Sequence, residues 1–352
     1  MSDFWFDYCS FHLIYYLTAK IERMKALILN EDKTLSFQEV KRPDLLAGHV
    51  LVNVKAAALN HREIWIQKGL YPGLTLPCIL GADGAGVVVE VADDVDSSML
   101  GQEVIIYPGY DWGDSDRVPT KKFRVLGMPD PGTIAEYIAV PASNAVAKPD
   151  YLSWAEAAAI PVASLTAWRA LVRHGNIDAN SKVLITGIGG GVAQAGLGIA
   201  KAFGAEIFVT SSGQEKIDAA VAHGASGGVN YRDEDWHSQM KALSRGIDIV
   251  LDSSPSPVLD GYFKFMNVGG RIVTYGSTGS PQTTISISKF FLRQIQFIGT
   301  TMGSPREFEA MLKFMAEHKV KPHIHSKYSF EASIDAIEAL KEGKQVGKIV
   351  IT

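Results

Sequence analysis

Cysteine is nearly missing from this chain: Cys9 and Cys78 are the only two among 352 residues. Two thiols argue against a disulfide framework, and a four-cysteine zinc lobe is impossible. A basic excess is missing too. Lys and Arg total 34 against 38 Asp and Glu, for a net charge of −4. No nucleic-acid or membrane partner is expected on that balance. The apolar, aromatic run at 11–19 falls far short of the ~20 residues that span a bilayer. Asp3 and Asp7 precede it, where a secretory signal carries positive charge. Together these absences fit a cytoplasmic protein. MKALIL, beginning at Met24, opens a strand, so residues 1–23 read as an N-terminal extension, with a packed N-terminal helix as the alternative.

What is present is ordinary globular material, 47% hydrophobic and 20% charged, of a length that suggests about two domains. One stretch organises the rest. Residues 182–205 read KVLITGIGGGVAQAGLGIAKAFGA: a β-rich run, a glycine-dense turn, then helix formers with apolar residues at helical spacing. Strand, glycine turn and helix in that order open a dinucleotide-binding βαβ unit. The free N–H groups and positive dipole end of the helix suit a pyrophosphate, and glycines let the backbone approach it.

Residues 24–150 are mostly β. A hairpin is expected at 24–39, turning at Asn30 to Lys33, with strands at 49–57, 101–107 and 133–140. Residues 108–131, rich in Pro, Gly and Asp, read as a surface loop. The second glycine cluster, Gly81, Gly84 and Gly86, lies in or beside strand and reads as close backbone packing. Ser153 and Glu156 form a capping box, with helix to about 160 and a second helix at 165–174. Strand and helix then alternate to 319, which means a doubly wound parallel sheet. A helix at 330–341 and a closing strand at 348–352 complete the chain, the strand rejoining the first domain.

The order of a β domain, an AAAIPVASLTAW helix pair, a glycine turn and a final GKIVIT strand resembles the medium-chain dehydrogenase/reductase superfamily over residues 24–352. The zinc-less, quinone oxidoreductase-like branch is the most similar, through the segment from Asn60 to Pro72, the Gly81-Ala-Asp-Gly-Ala-Gly86 stretch and the cofactor turn. The resemblance implies an α/β protein: a Rossmann-type domain with a doubly wound parallel sheet (151–319) and a mainly β GroES-like catalytic domain (24–150 and 320–352). It also implies a homodimer, with 295–301 resembling the strand that pairs across the twofold.

Zinc alcohol dehydrogenases of the superfamily carry a cysteine where Asn60 stands, a histidine where Ala82 stands and a third ligand near Val162. The residues present here do not bind zinc, so no metal is expected. His61 and Asp83 neighbour the lost positions but are too few, and His61 is expected to point away in a strand. His323 and His325 read as surface or interdomain residues. Alcohol oxidation passes through an alkoxide-like state that zinc stabilises, whereas a quinone or an enone is already electrophilic. The missing ligands therefore favour reduction of activated acceptors.

The resemblance gives Asn60 the role of orienting substrate or cofactor ribose, against satisfying loop backbone. It gives Tyr71 the role of hydrogen-bonding the substrate oxygen, against a packed loop aromatic. Trp65 shapes an apolar wall, and Glu63, where relatives carry aspartate, suits a buried salt bridge. Thr166 resembles a residue near the nicotinamide, with a hydrogen bond to its own helix as the alternative. Gly187, Gly189, Gly190, Gly191 and Val192 form the phosphate turn. The following strand ends in Ser211 and Ser212, without the Asp or Glu that takes the ribose 2′-hydroxyl of NAD. Ser211, Ser212, Lys216 and Tyr231 suit a 2′-phosphate, so NADP(H) is expected. Tyr275, Gly276, Thr300 and Thr301 follow strands and resemble the backbone that brackets the nicotinamide. The expected activity is NADPH-dependent reduction of a small-molecule quinone or enone. Alternatives are a zinc-independent alcohol or carbonyl dehydrogenase and a crystallin-like binding protein with little turnover.

Overall fold

The computed structural model describes residues 23–254, 259–279 and 282–352. The extension expected at 1–23 lies outside them, apart from Arg23. Strands Arg23–Leu29 and Leu35–Lys41 form the expected antiparallel hairpin, with Lys33 at φ 67° in the turn. The strand His49–Ala58 lies at the centre of a seven-stranded sheet. It pairs with Asp83–Val91, with Tyr137–Pro141 and with Lys348–Ile351, which in turn pairs in parallel with Ile324–Tyr328. The closing strand therefore returns to the first sheet.

Gly86 explains the second glycine cluster. A Cβ there would overlap the Asn53 carbonyl of the neighbouring strand, so this glycine serves close strand packing. The adjoining helix Trp154–Ala158 starts with the expected capping box, Ser153 N–H donating to Glu156 at 2.7 Å and Glu156 N–H to Ser153 Oγ at 3.3 Å. Its Ala155, Ala157 and Ala158 share a core with Ala56, Ala58, Ala82 and Ala85. Small side chains on both faces let the helix lie close to the sheet.

The second helix begins at Pro161, four residues earlier than its apolar pattern suggests. Proline at a first helical position sacrifices no intrahelical bond. After Trp168 the coil widens to π-helical turns over Arg169–His174. Six parallel strands follow, ordered Gly227–Asn230, Glu206–Ser211, Lys182–Ile185, Ile247–Asp252, Met266–Thr274 and Gln296–Gly299. That is the doubly wound order with its switch point beside the first strand.

Two segments depart from the sequence reading, and His323 takes the interdomain place expected of it. Residues 61–67 form a helix, His61–Gln67, so His61 sits in a helical first turn and not in a strand. Residues 108–131 are not simply surface, since Trp112, Leu126 and Met128 are buried. His323 packs edge-on against His223 with ring centroids 5.2 Å apart, joining the start of the Ile324–Tyr328 strand to the parallel-sheet domain. No helix among the described residues is long and apolar enough to cross a membrane.

Candidate active site

The phosphate turn follows the strand Lys182–Ile185. Gly187 takes φ +60°, and its N–H donates to Thr210 Oγ1 at 3.3 Å. Gly190 N–H returns to the Gly187 carbonyl at 3.0 Å, and the helix Gly191–Ala202 starts at once. Val192 sits half-buried in its first turn, where amides have no intrahelical acceptor. Gly189 is covered from the far end of the chain: its carbonyl accepts from Gly347 N–H at 3.0 Å. A Cβ on Gly189 would lie 3.1 Å from Lys216 Nζ, which places that cation beside the turn.

The other expected cofactor residues divide by accessibility. Ser211 is buried, its Oγ accepting from Gly213 N–H at 3.4 Å. Ser212 is half-buried and Tyr231 exposed, with Tyr231 N–H on the Ser211 carbonyl at 3.0 Å. Thr166 donates to the Val162 carbonyl at 2.7 Å, the hydrogen bond to its own helix. Burial pushes the Tyr275 phenol well above its usual range. A Cβ on Gly276 would lie 3.0 Å from the Ser253 carbonyl oxygen. Thr300 Oγ1 is buried without a hydrogen-bond partner, and Thr301 is exposed beside it.

Asn60 lies at the start of the His61–Gln67 helix, yet its side chain does not cap it. Its backbone N–H donates to Glu63 Oε2 at 2.7 Å. Its amide instead joins a buried ionic cluster. Nδ2 donates to Asp83 Oδ2 at 2.9 Å, and Oδ1 accepts from Lys348 Nζ at 2.6 Å. Lys348 also donates to Asp83 Oδ2 at 2.9 Å and to the Leu59 carbonyl at 2.6 Å. Asp83 Oδ1 accepts from Val162 N–H at 2.8 Å. Asp83 is fully buried and Lys348 is 4% exposed.

A second pair lies alongside. Glu63 is fully buried, 3.8 Å from Arg62. Burial pushes its carboxyl above the usual range, against the opposing pull of Arg62 and of the Asn60 N–H. Arg62 donates to the Leu126 and Met128 carbonyls, and its guanidinium stands 4.9 Å from the Tyr71 ring centroid. Tyr71 thus packs against the loop-anchoring arginine within the apolar cluster of Ile66 and Leu74. The His61 imidazole is held below its usual range by desolvation and then by Lys68 and Lys348.

Neither Lys348 nor Asp83 stands among the site residues expected from sequence. The available signal was a charge at the first position of each of two largely apolar strands, Asp83–Val91 and Lys348–Ile351. Such a charge, once buried, requires a partner.

Residues 46–150 match an alcohol dehydrogenase GroES-like domain model, and residues 191–317 a zinc-binding dehydrogenase model. A zinc-type alcohol dehydrogenase-like protein of Leptosphaeria maculans is 34% identical over 337 residues, covering 90% of this chain and 94% of its own. The chain belongs to the medium-chain dehydrogenase/reductase superfamily. It is an oxidoreductase of that superfamily, with a GroES-like domain beside a Rossmann-type one. A crystal structure of an NAD-dependent alcohol dehydrogenase superposes with a TM-score of 0.87 at 35% identity, covering 94% of this chain and 99% of the other. An acryloyl-coenzyme A reductase of Metallosphaera sedula is 28% identical, covering 94% of this chain and all of its own, 100%.

Members of this superfamily use a pyridine nucleotide, and the turn from Gly187 to Val192 has the free amides and the bare backbone to hold its phosphates. The metal that the zinc-binding model implies fits less well. Asn60, Ala82 and Val162 offer an engaged amide, a methyl buried in the alanine core and an aliphatic side chain. A lysine ammonium, itself a cation, stands among them. Among the described residues no group of three His, Cys, Asp or Glu is placed to hold a metal ion.

Proposed function

We propose that this superfamily member is a zinc-independent, NADPH-dependent reductase of a quinone or an α,β-unsaturated carbonyl. The observation that carries this reading is the Asn60–Asp83–Lys348 cluster, in which Asn60 stands where zinc relatives bear a cysteine ligand and Asp83 adjoins Ala82, the second such position. A substrate oxygen there meets hydrogen-bond donors and a fixed charge, not a Lewis acid. Such a site suits an acceptor whose developing negative charge spreads through a conjugated system.

When bound, the cofactor supplies hydride from nicotinamide C4. The Asn60 amide and the Tyr71 phenol hydrogen-bond the acceptor oxygen, and Tyr71 or water supplies the proton that completes the product. NADPH is preferred over NADH because the second strand ends at Ser211, followed by Ser212, with Lys216 beside the glycine turn; the nearby Glu215 carboxylate sits in the first turn of the next helix, where it complements the helix dipole. The acryloyl-coenzyme A reductase relative is named for reduction of an activated double bond. A second reading is favoured by other relatives, among them an NAD-dependent alcohol dehydrogenase of Saccharolobus solfataricus at 30% identity: a dehydrogenase of alcohols or carbonyls using NAD.

One experiment separates the two. Purified protein, with its metal content measured, is given NADPH or NADH against quinones, enones, enoyl thioesters, aldehydes and ethanol. Oxidation of NADPH by quinones or enones, unchanged by a chelator, is the expected result. Ethanol oxidation that needs zinc and is abolished by the chelator overturns the proposal, as does a strong preference for NADH.

A further inference from the structure

We propose that Lys348 is a positioning residue for the reaction, its ammonium fixing the Asn60 amide so that N–H and not C=O faces the substrate oxygen. The inference rests on the reductase reading above for the identity of the substrate, but its geometry stands apart from it.

An ammonium has three protons. Those of Lys348 go to the Leu59 carbonyl, to Asn60 Oδ1 and to Asp83 Oδ2, at 2.6, 2.6 and 2.9 Å. Lys348 therefore has no donor left for a substrate and acts through its neighbour. The Asn60 amide lies between a cation at its oxygen and a carboxylate at its nitrogen. Rotating it by half a turn would set N–H₂ against the ammonium and C=O against Asp83, unfavourable at both ends. The orientation is fixed by charge. One Nδ2 proton is held by Asp83, which leaves the other as the donor for an acceptor oxygen. A cation on the amide oxygen also polarises the group and strengthens that donor.

The lysine stem has its own constraint. A Cβ on Gly191 would lie 2.9 Å from Lys348 Cδ, so the stem passes over the first helical residue of the phosphate turn. One side chain thus connects the cofactor cradle, the Asn60 amide and the Asp83 carboxylate. Asp83 in turn holds the Val162 amide.

The test is a double-mutant cycle read beside a measurement that needs no turnover. Lys348→Met and Asn60→Ala are each expected to lower kcat by about 100-fold, with acceptor KM changed by less than about threefold. Because the two act as one unit, the double variant is expected within about threefold of either single variant. Multiplicative losses overturn the proposal. Lys348→Met leaves Asp83 buried without its counter-charge, so Asp83→Asn with Lys348→Met supplies a neutral pair that folds. Its kcat is expected to stay low, and recovery to the wild-type rate overturns the proposal.

The independent readout is selective 15N labelling of asparagine. In the wild type the Asn60 side-chain proton held by Asp83 should exchange slowly with solvent; in the neutral pair it should exchange at least about tenfold faster. Fast exchange of both side-chain protons in the wild type sinks the idea. If no quinone or enone is reduced, the reductase reading fails alone, and the labelled amide still decides the role of Lys348.

Discussion

If NADPH is the cofactor, as proposed above, Lys216 is the side chain that would meet its 2′-phosphate. It reaches the glycine turn from the helix Gln214–Ala222, where its Nζ lies 3.5 Å from the Gln345 carbonyl and close over Gly189. A 2′-phosphate would draw it into an ion pair, and a ribose hydroxyl would not. Lys216→Ala is therefore expected to raise KM for NADPH about tenfold, roughly 1.4 kcal/mol, and to leave KM for NADH within about twofold. Equal effects on the two cofactors would remove Lys216 from the phosphate site. The turn around it was legible because a glycine fingerprint is local: the spacing from Gly187 to Val192 is itself the structure. Lys348 was not legible, because its meaning depends on Asn60, 288 residues away. In sequence it is one more lysine at the start of a short apolar strand. Thr166 shows the limit from the other side. Its place in a motif suggested a cofactor contact, and its hydroxyl bonds its own helix.

Among the elements, the loop from Pro108 to Pro131 carries a tether that composition concealed. Proline, glycine and aspartate marked it as exposed, but the decisive contacts come from the other domain. Buried Arg169, in the π-helical turns, donates to the Asp116 and Arg117 carbonyls, pairs with Glu307 and stands 5.1 Å from the Trp112 ring. Ser304 Oγ donates to Asp116 at 3.0 Å, and Tyr107 donates to the Gly303 carbonyl at 2.8 Å. The loop is thereby tied to the residues just after Thr300 and Thr301. Arg169→Ala leaves the largely buried Glu307 without its cationic partner, though still accepting from Ser304 N–H, which should cost about 2–4 kcal/mol in denaturant unfolding. Arg169→Met combined with Glu307→Gln should recover much of that loss. A loss below about 1 kcal/mol for Arg169→Ala would show that the loop is held by its apolar residues instead. The capping box at Ser153 was readable from four residues. The helix His61–Gln67 was not, since seven residues of mixed polarity present no periodic face.

For the whole molecule, the last strand of the parallel sheet is the exposed feature that points to a second copy. Gln296–Gly299 is an edge. Near it in sequence, Val268, Ile287, Phe291, Leu292 and Phe297 are all exposed. A four-residue edge with no second partner among the described residues and exposed apolar side chains around it can pair with a second copy. Light scattering should find a dimer at micromolar concentration, and Phe291→Glu with Phe297→Glu should give a monomer that keeps its fold. A wild-type monomer at tens of micromolar would refute the pairing. The return of Lys348–Ile351 to the first sheet has a consequence for the order of folding. Its partner strand His49–Ala58 is synthesised early, yet waits for the entire six-stranded sheet to be made. The parallel-sheet domain is contiguous and completes itself from nearer contacts. The first domain must close a loop of nearly 300 residues, which is slow. During synthesis the parallel-sheet domain is therefore expected to complete before the Asn60–Lys348 contact forms, which pulse-labelled limited proteolysis of ribosome-bound chains would check.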